Sequence, residues 1–173
     1  MKYNCFGDLI ALCKLSLTIS TTTEKNKLDI IQKSTQIKNT CIKNAQKQFV
    51  TPIDREDVVR LAIMLHKTNV EIFSLCEYDF LCRQTDFFIL INEGCNLINK
   101  CVANKLVIEL DTVLKKRDEL YTAFLKESEK HSHESTINTK ALIKNSLFDK
   151  IEKCIENILS VIDEIIFISI KNS

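Results

Sequence analysis

Glycine, proline and tryptophan are nearly missing: the 173 residues hold 2 Gly, 1 Pro and no Trp. Average usage would supply roughly a dozen Gly and eight or nine Pro at this length. Strand-rich folds need many Gly/Asn/Pro turns and βαβ folds need glycine-rich crossovers, so a few long helices is the economical reading and the expected class is all-α. The same scarcity removes a phosphate-cradling P-loop and a dinucleotide fingerprint, which need glycines at fixed offsets. An excess of charge of one sign is also lacking. The net charge is +1 with a pI near 7.5, so no global field invites nucleic acid or recruits a membrane surface. Aromatic residues are few, and nothing resembles a base-stacking platform. Long apolar runs are absent too. Ile165-Ile166-Phe167-Ile168-Ser169-Ile170 is far shorter than the roughly 20 residues of a membrane span. The stretch Met1 to Ser20 is interrupted by Asp8 and Lys14 and is not expected to be a signal peptide. A soluble chain with no transmembrane segment and no nucleic-acid partner is expected, with residues 1–173 as one domain.

Cysteine, by contrast, is plentiful. Cys5, Cys13, Cys41, Cys76, Cys82, Cys95, Cys101 and Cys154 make eight, but no two stand at C-x-x-C spacing and no His lies at finger-like distance from a pair. Several occupy helical apolar positions, such as Cys76 after Ile72 and Cys154 beside Ile151 and Ile155. They read as small buried hydrophobes with reduced thiols. No cysteine has a glycine-rich, oxyanion-forming context, and there is no Glu-x-x-His pair of the di-iron bundle kind. His131-Ser132-His133 sits in a polar run and reads as solvated loop. No enzyme is expected.

Apolar positions recur at helical spacing almost throughout. A first helix is expected over about Tyr3 to Ile19, with a polar break at Ser20 to Glu24. The second, to Phe49, carries Leu28, Ile31, Ile37 and Ile42. The third runs from about Asp54 to Phe80 on a stripe of Val58, Leu61, Ala62, Leu65, Ile72, Phe73 and Cys76. The fourth carries Phe88, Ile91, Cys95 and Ile98 and must turn near Lys100 to Lys105, where no Gly or Pro marks the corner. The fifth includes Leu110, Leu114, Tyr121 and Phe124 and ends in the polar run Glu127 to Thr136. The sixth, about Asn138 to Lys171, holds Leu147, Phe148, Ile151, Ile155, Ile158, Leu159, Ile162 and Ile166.

The sole proline stands in Phe49-Val50-Thr51-Pro52-Ile53-Asp54-Arg55-Glu56-Asp57-Val58. Physically this is a helix-to-helix corner. Thr51 can cap the third helix with Pro52 at its first position and Asp54 three residues on, or Asp54 can be the cap itself. Either way Asp54, Glu56 and Asp57 place negative charge in a first turn, where the helix dipole favours it. The whole string closely resembles the signature of PhoU-like proteins, which reads Phe, Val or Ile, Thr-Pro, any residue, Asp-Arg-Glu-Asp, then Ile or Val. The branch it resembles is the accessory proteins of Pit-type phosphate transporters. Looser matches are Leu61-Ala62 with Leu65, Glu93-Gly94-Cys95, and Asp118-Glu119-Leu120-Tyr121. The motif residues Thr51, Pro52, Asp54, Arg55, Glu56 and Asp57 carry the resemblance.

It implies six helices in two three-helix bundles packed together. It also implies a cytoplasmic regulator, at most peripheral to the inner membrane face, that docks on a membrane phosphate permease; a homodimer stays open. PhoU-like proteins carry E-x-x-x-D pairs that gather carboxylates into a hard-cation or iron site. Here those positions are Ile31 and Thr35, His66 and Val70, and Leu114 with Asp118. Only Glu152 and Glu156 in the sixth helix keep a pair, with Asp149 and Asp163 on the same stripe. The resemblance therefore leaves at most one weakly bound divalent or iron ion, on Glu152, Glu156 and Asp118 with His66. The other reading of those acids is an exposed face. A helical interaction module on the same fold without the metal role is the alternative function.

Overall fold

The computed structural model of the chain describes residues 4–21, 27–47, 53–75, 86–132 and 139–172. Thr51, Pro52, Cys76, Cys82 and His133 lie outside the described residues, as does the end expected for the third helix. Six helices and no strand occur among the described residues: α1 Cys5–Thr21, α2 Lys27–Lys47, α3 Arg55–Leu75, α4 Asp86–Ala103, α5 Leu110–Ser132 and α6 Thr139–Lys171. No helix there is long and apolar enough to cross a membrane.

The helices form two triangles. Each of α1, α2 and α3 packs on the other two, and so does each of α4, α5 and α6. The triangles meet where α1 lies on α4 and α3 lies on α6. The expected two three-helix bundles are thus present, with α2 and α5 as the outer rods. One contiguous apolar core draws on all six helices. In the second bundle it ends in an aromatic trio, where Phe87 meets Phe124 at 6.1 Å and Phe148 at 5.7 Å, both edge to face.

Several helix ends show why the chain manages with so little glycine. Asn4 caps α1 by accepting the Gly7 N–H at 2.8 Å. The unmarked corner after α4 is built without glycine. Leu106 N–H donates to the Cys101 carbonyl at 3.0 Å and Lys105 N–H to that of Val102 at 2.9 Å. This is the paired closure of a Schellman motif. Lys105 and Leu106 both take the left-handed region, at φ 55° and 63°. Burial of Leu106 against the preceding turn offsets that strain. Glycine does appear where α4 meets α6. A Cβ on Gly94 would fall inside contact distance of Ile158 Cγ2, and a β-branched side chain in a helix has little freedom to move away.

Three expected stripes are corrected in register. Leu28 is 64% exposed, and α2 turns Ser34, Cys41 and Ala45 to the core with Ile31 and Ile37 beside them. In α4 the deeply buried ring is Phe87 and Phe88 is half-buried. In α5, Val113, Leu120 and Phe124 are buried, while Leu114 and Tyr121 stand exposed. The α5 helix also continues through Glu127 to Ser132, where Ser128 Oγ–H donates to the Phe124 carbonyl at 2.9 Å.

Two substitutions should move stability in opposite directions. Lys105→Gly removes a left-handed penalty and is expected to raise unfolding free energy by up to about 1 kcal/mol. Gly94→Ala forces α4 and α6 apart and is expected to cost about 1–3 kcal/mol. Urea titration of both variants, read by helix circular dichroism, checks the signs.

Candidate functional site

The motif residues divide into an inward and an outward pair at the start of α3. Asp54 is the cap: its carbonyl accepts the Val58 N–H at 3.1 Å, which settles the either/or left by the sequence. Asp57, one turn on, is 1% exposed. Both carboxylates are held from the far end of the chain. Lys171 Nζ lies 2.5 Å from Asp54 Oδ2 and 3.0 Å from Asp57 Oδ2. Arg60 adds a second cation 3.8 Å from Asp57 and pairs with Glu164 at 3.1 Å. Further along, Lys153 meets Glu71 at 3.2 Å. These pairs run α3 and α6 antiparallel, so acids at the start of one helix face a lysine at the end of the other. Asp54, Asp57 and Lys171 each complement their own helix dipole as well as their partners. The hydrogen bonds to Asp54 and Asp57 hold the Lys171 ammonium above the usual lysine range.

Arg55 and Glu56 point outward. With Gln46, Val59, Arg60 and Ile63 they line a shallow, open groove between the end of α2 and the start of α3. Ligand pockets enclose most of a small molecule's surface, and this groove does not. Its form suits contact with a larger partner.

Behind the corner lies a buried polar chain that hydropathy reading missed. Ser16 Oγ–H donates to Asn69 Oδ1 at 2.5 Å. Asn69 Nδ2 donates to the Leu12 carbonyl at 3.2 Å and to Ser34 Oγ at 3.0 Å. Ser34 Oγ is 2.9 Å from His66 Nδ1. Ser34 Oγ accepts from Asn69, and the direction of its bond to His66 Nδ1 follows the imidazole tautomer. Burial, with Lys38 nearby, pushes the His66 pKa below its usual value. A serine bonded to a histidine has the form of a nucleophile and its base, but Ser34 is 0% exposed and no substrate carbonyl can reach it. The chain is a three-helix strut joining α1, α2 and α3. A polar residue flanked by apolar neighbours on α2 and an Asn within the α3 stripe were its only signals.

The expected metal ligands fall elsewhere. Asp118, Glu152 and Glu156 are all exposed. Asp118 accepts from Arg117 Nη1 at 3.3 Å. The same guanidinium binds Asp163 through Nε at 2.9 Å and Nη2 at 3.1 Å and lies over the Tyr121 ring at 5.6 Å. His66 belongs to the strut. Among the described residues no three His, Cys, Asp or Glu side chains form a group able to hold a metal, so the donor set implied by the resemblance is not assembled there. The six described cysteines are buried thiols outside any disulfide. Burial pushes the Cys95 thiol up to about 12, and burial with Cys5 and Asp8 nearby does the same for Cys41. Thiols this hard to ionise are poor nucleophiles.

Two measurements test these assignments. Lys171→Gln leaves Asp57 buried beside a single distant cation and should lower the melting temperature, whereas adding Asp57→Asn should restore much of the loss. Additive losses in that cycle would refute the cross-link. For His66 the folded-state pKa is depressed, so the unfolded chain takes the proton first. The stability is complete above about pH 6.5 and drains as pH falls through the lower, folded value. His66→Gln should flatten stability between about pH 7 and pH 5 relative to wild type.

A scan against protein-family models finds no match to this chain, and a search of curated proteins finds none.

Proposed function

We propose that the chain is a non-enzymatic accessory of inorganic phosphate transport, working by docking on a membrane permease. The observation that carries this reading is the Thr-Pro-x-Asp-Arg-Glu-Asp string at a helix corner, in a chain built as two packed three-helix bundles. The division within the string supports docking. Asp54 and Asp57 fix the angle and register of α3 against α6, which leaves Arg55 and Glu56 displayed on the open groove. A small-molecule site would need enclosure, and a docking face needs rigidity and reach.

The metal-free form of this reading is favoured by a specific observation. Where facing carboxylates would gather an ion between α2 and α3, Ser34, His66 and Asn69 bond to one another. Asp118 and Asp163 are taken up by Arg117. In this form the chain is a helical interaction module of the same architecture, whose regulation does not run through a metal.

In cells lacking the protein, permease-dependent phosphate uptake should change, and the wild-type chain should restore it. The R55A/E56A variant should fold within about 0.5 kcal/mol of wild type, as exposed substitutions do, and yet fail to restore uptake. Uptake that is indifferent to deletion would end the phosphate reading. Protein purified without chelator should be folded and free of stoichiometric iron or manganese; a stoichiometric metal lost in E152A/E156A would restore the metal-binding form.

A further inference from the structure

We propose that the outward face of α2 is an adsorption surface for anionic lipid headgroups. The inference rests on α2 itself and not on the phosphate reading. The two outer rods of the molecule, α2 and α5, occupy equivalent places, each packed on two helices of its own bundle. Their charge is organised differently. Along α5 five acids (Asp111, Asp118, Glu119, Glu127, Glu129) balance five Lys and Arg (Lys115, Lys116, Arg117, Lys126, Lys130). Many are engaged locally, with Lys115 at Glu119, Lys130 at Glu127 and Arg117 at Asp118. By contrast α2 holds five lysines and the single acid Asp29.

Lys33, Gln36, Thr40, Lys43 and Lys47 follow one another at steps of three and four, so they share one face, and all five are exposed. No acid interrupts that row. Among the described residues, none of Lys33, Lys38, Lys43 or Lys47 has a carboxylate within the 4.0 Å of an ion pair. With a net charge of only +1, the chain has no global positive field, so this is a local segregation of charge. It extends along a helix of 21 residues, about 30 Å.

The chemistry of the row selects its occupant. Protein interfaces centre on aromatic, Met and Arg anchors in pockets and are depleted in Lys. The row holds no aromatic, Met or Arg anchor, only lysines with a neutral amide and a hydroxyl. A headgroup plane asks for no shape complementarity. It attracts lysines additively, and the attraction is screened by salt.

Sedimentation of the full chain with phosphatidylcholine vesicles, with and without phosphatidylserine, tests the assignment. Binding is expected only to the serine-containing vesicles and should fall as salt is raised. K33Q/K43Q/K47Q should lower partitioning by about a hundredfold with an unchanged melting temperature, while the α5 control K115Q/K116Q keeps it. Failure of the wild type to bind anionic vesicles, or equal partitioning by the triple variant, overturns the proposal. Retention on polyglutamate without vesicle binding also overturns it, in favour of an acidic protein partner. Vesicle binding in a chain whose loss leaves phosphate uptake unchanged upholds it.

Discussion

The seam between α3 and α6 holds the two bundles in one arrangement. The two triangles share one apolar core, but apolar side chains tolerate sliding, and α1 on α4 provides the other main seam. Along α3 and α6 the charges remove that freedom. Lys171 at Asp54 and Asp57, Arg60 at Glu164 and Lys153 at Glu71 space three contacts along the length of α3. A shift by one turn would break all three and leave the buried Asp57 with only the more distant Arg60. Exposed pairs contribute little each. A carboxylate that is desolvated whether or not it is paired makes the alternative registers costly.

Antiparallel packing makes this arrangement electrostatically consistent. The first turn of α3 favours acids and the last turn of α6 favours a base, so local preference and tertiary contact ask for the same residues. Such agreement between levels is what lets one register prevail over its neighbours. The polar strut does a related service within the first bundle. Ser16, Asn69, Ser34 and His66 are joined by buried hydrogen bonds, and those bonds form together in only one rotation of α1, α2 and α3. An all-apolar interior would be indifferent among several.

The sequence made α6 readable and left α2 obscure, for one reason. Residues of α6 such as Ile151, Ile155, Ile158, Ile162 and Ile166 are large, apolar and buried together, so hydropathy and burial coincide. On α2 they diverge. The helix turns Ser34, Cys41 and Ala45 inward because α1 and α3 approach closely there and because Asn69 needs an acceptor. A ranking by hydropathy instead selects Leu28, which faces solvent. On α5 the buried strip is narrow, because its main packing is on α4 and α6, and a shift of one residue exchanges Val113 and Leu120 for Leu114 and Tyr121. The corner after α4 could be placed only loosely, since Lys105 and Leu106 adopt a conformation that glycine normally announces. For the candidate site, the motif was visible as a string but its division was not. Nothing in the neighbourhood of Asp57 reveals that its partner lies 114 positions away.

That division bears on how such a motif can serve fold and partner together. Residues 54 and 57 lie three apart and share the face turned to α6, while 55 and 56 fall on the remaining arc of the turn, towards solvent. One helical turn thus offers two independent surfaces. The inner pair is constrained by Lys171, and Asp57 also by burial, so changing it alters the angle at which the outer pair is presented. The outer pair is exposed and lines a groove too open to enclose a small molecule. A string that needed only to start a helix would be satisfied by a cap and any acid in the first turn. Glu56 meets that need together with Asp57, and Arg55 stands beside it on the exposed arc, so a single turn carries the helix start, the contact with α6 and a charged outer face.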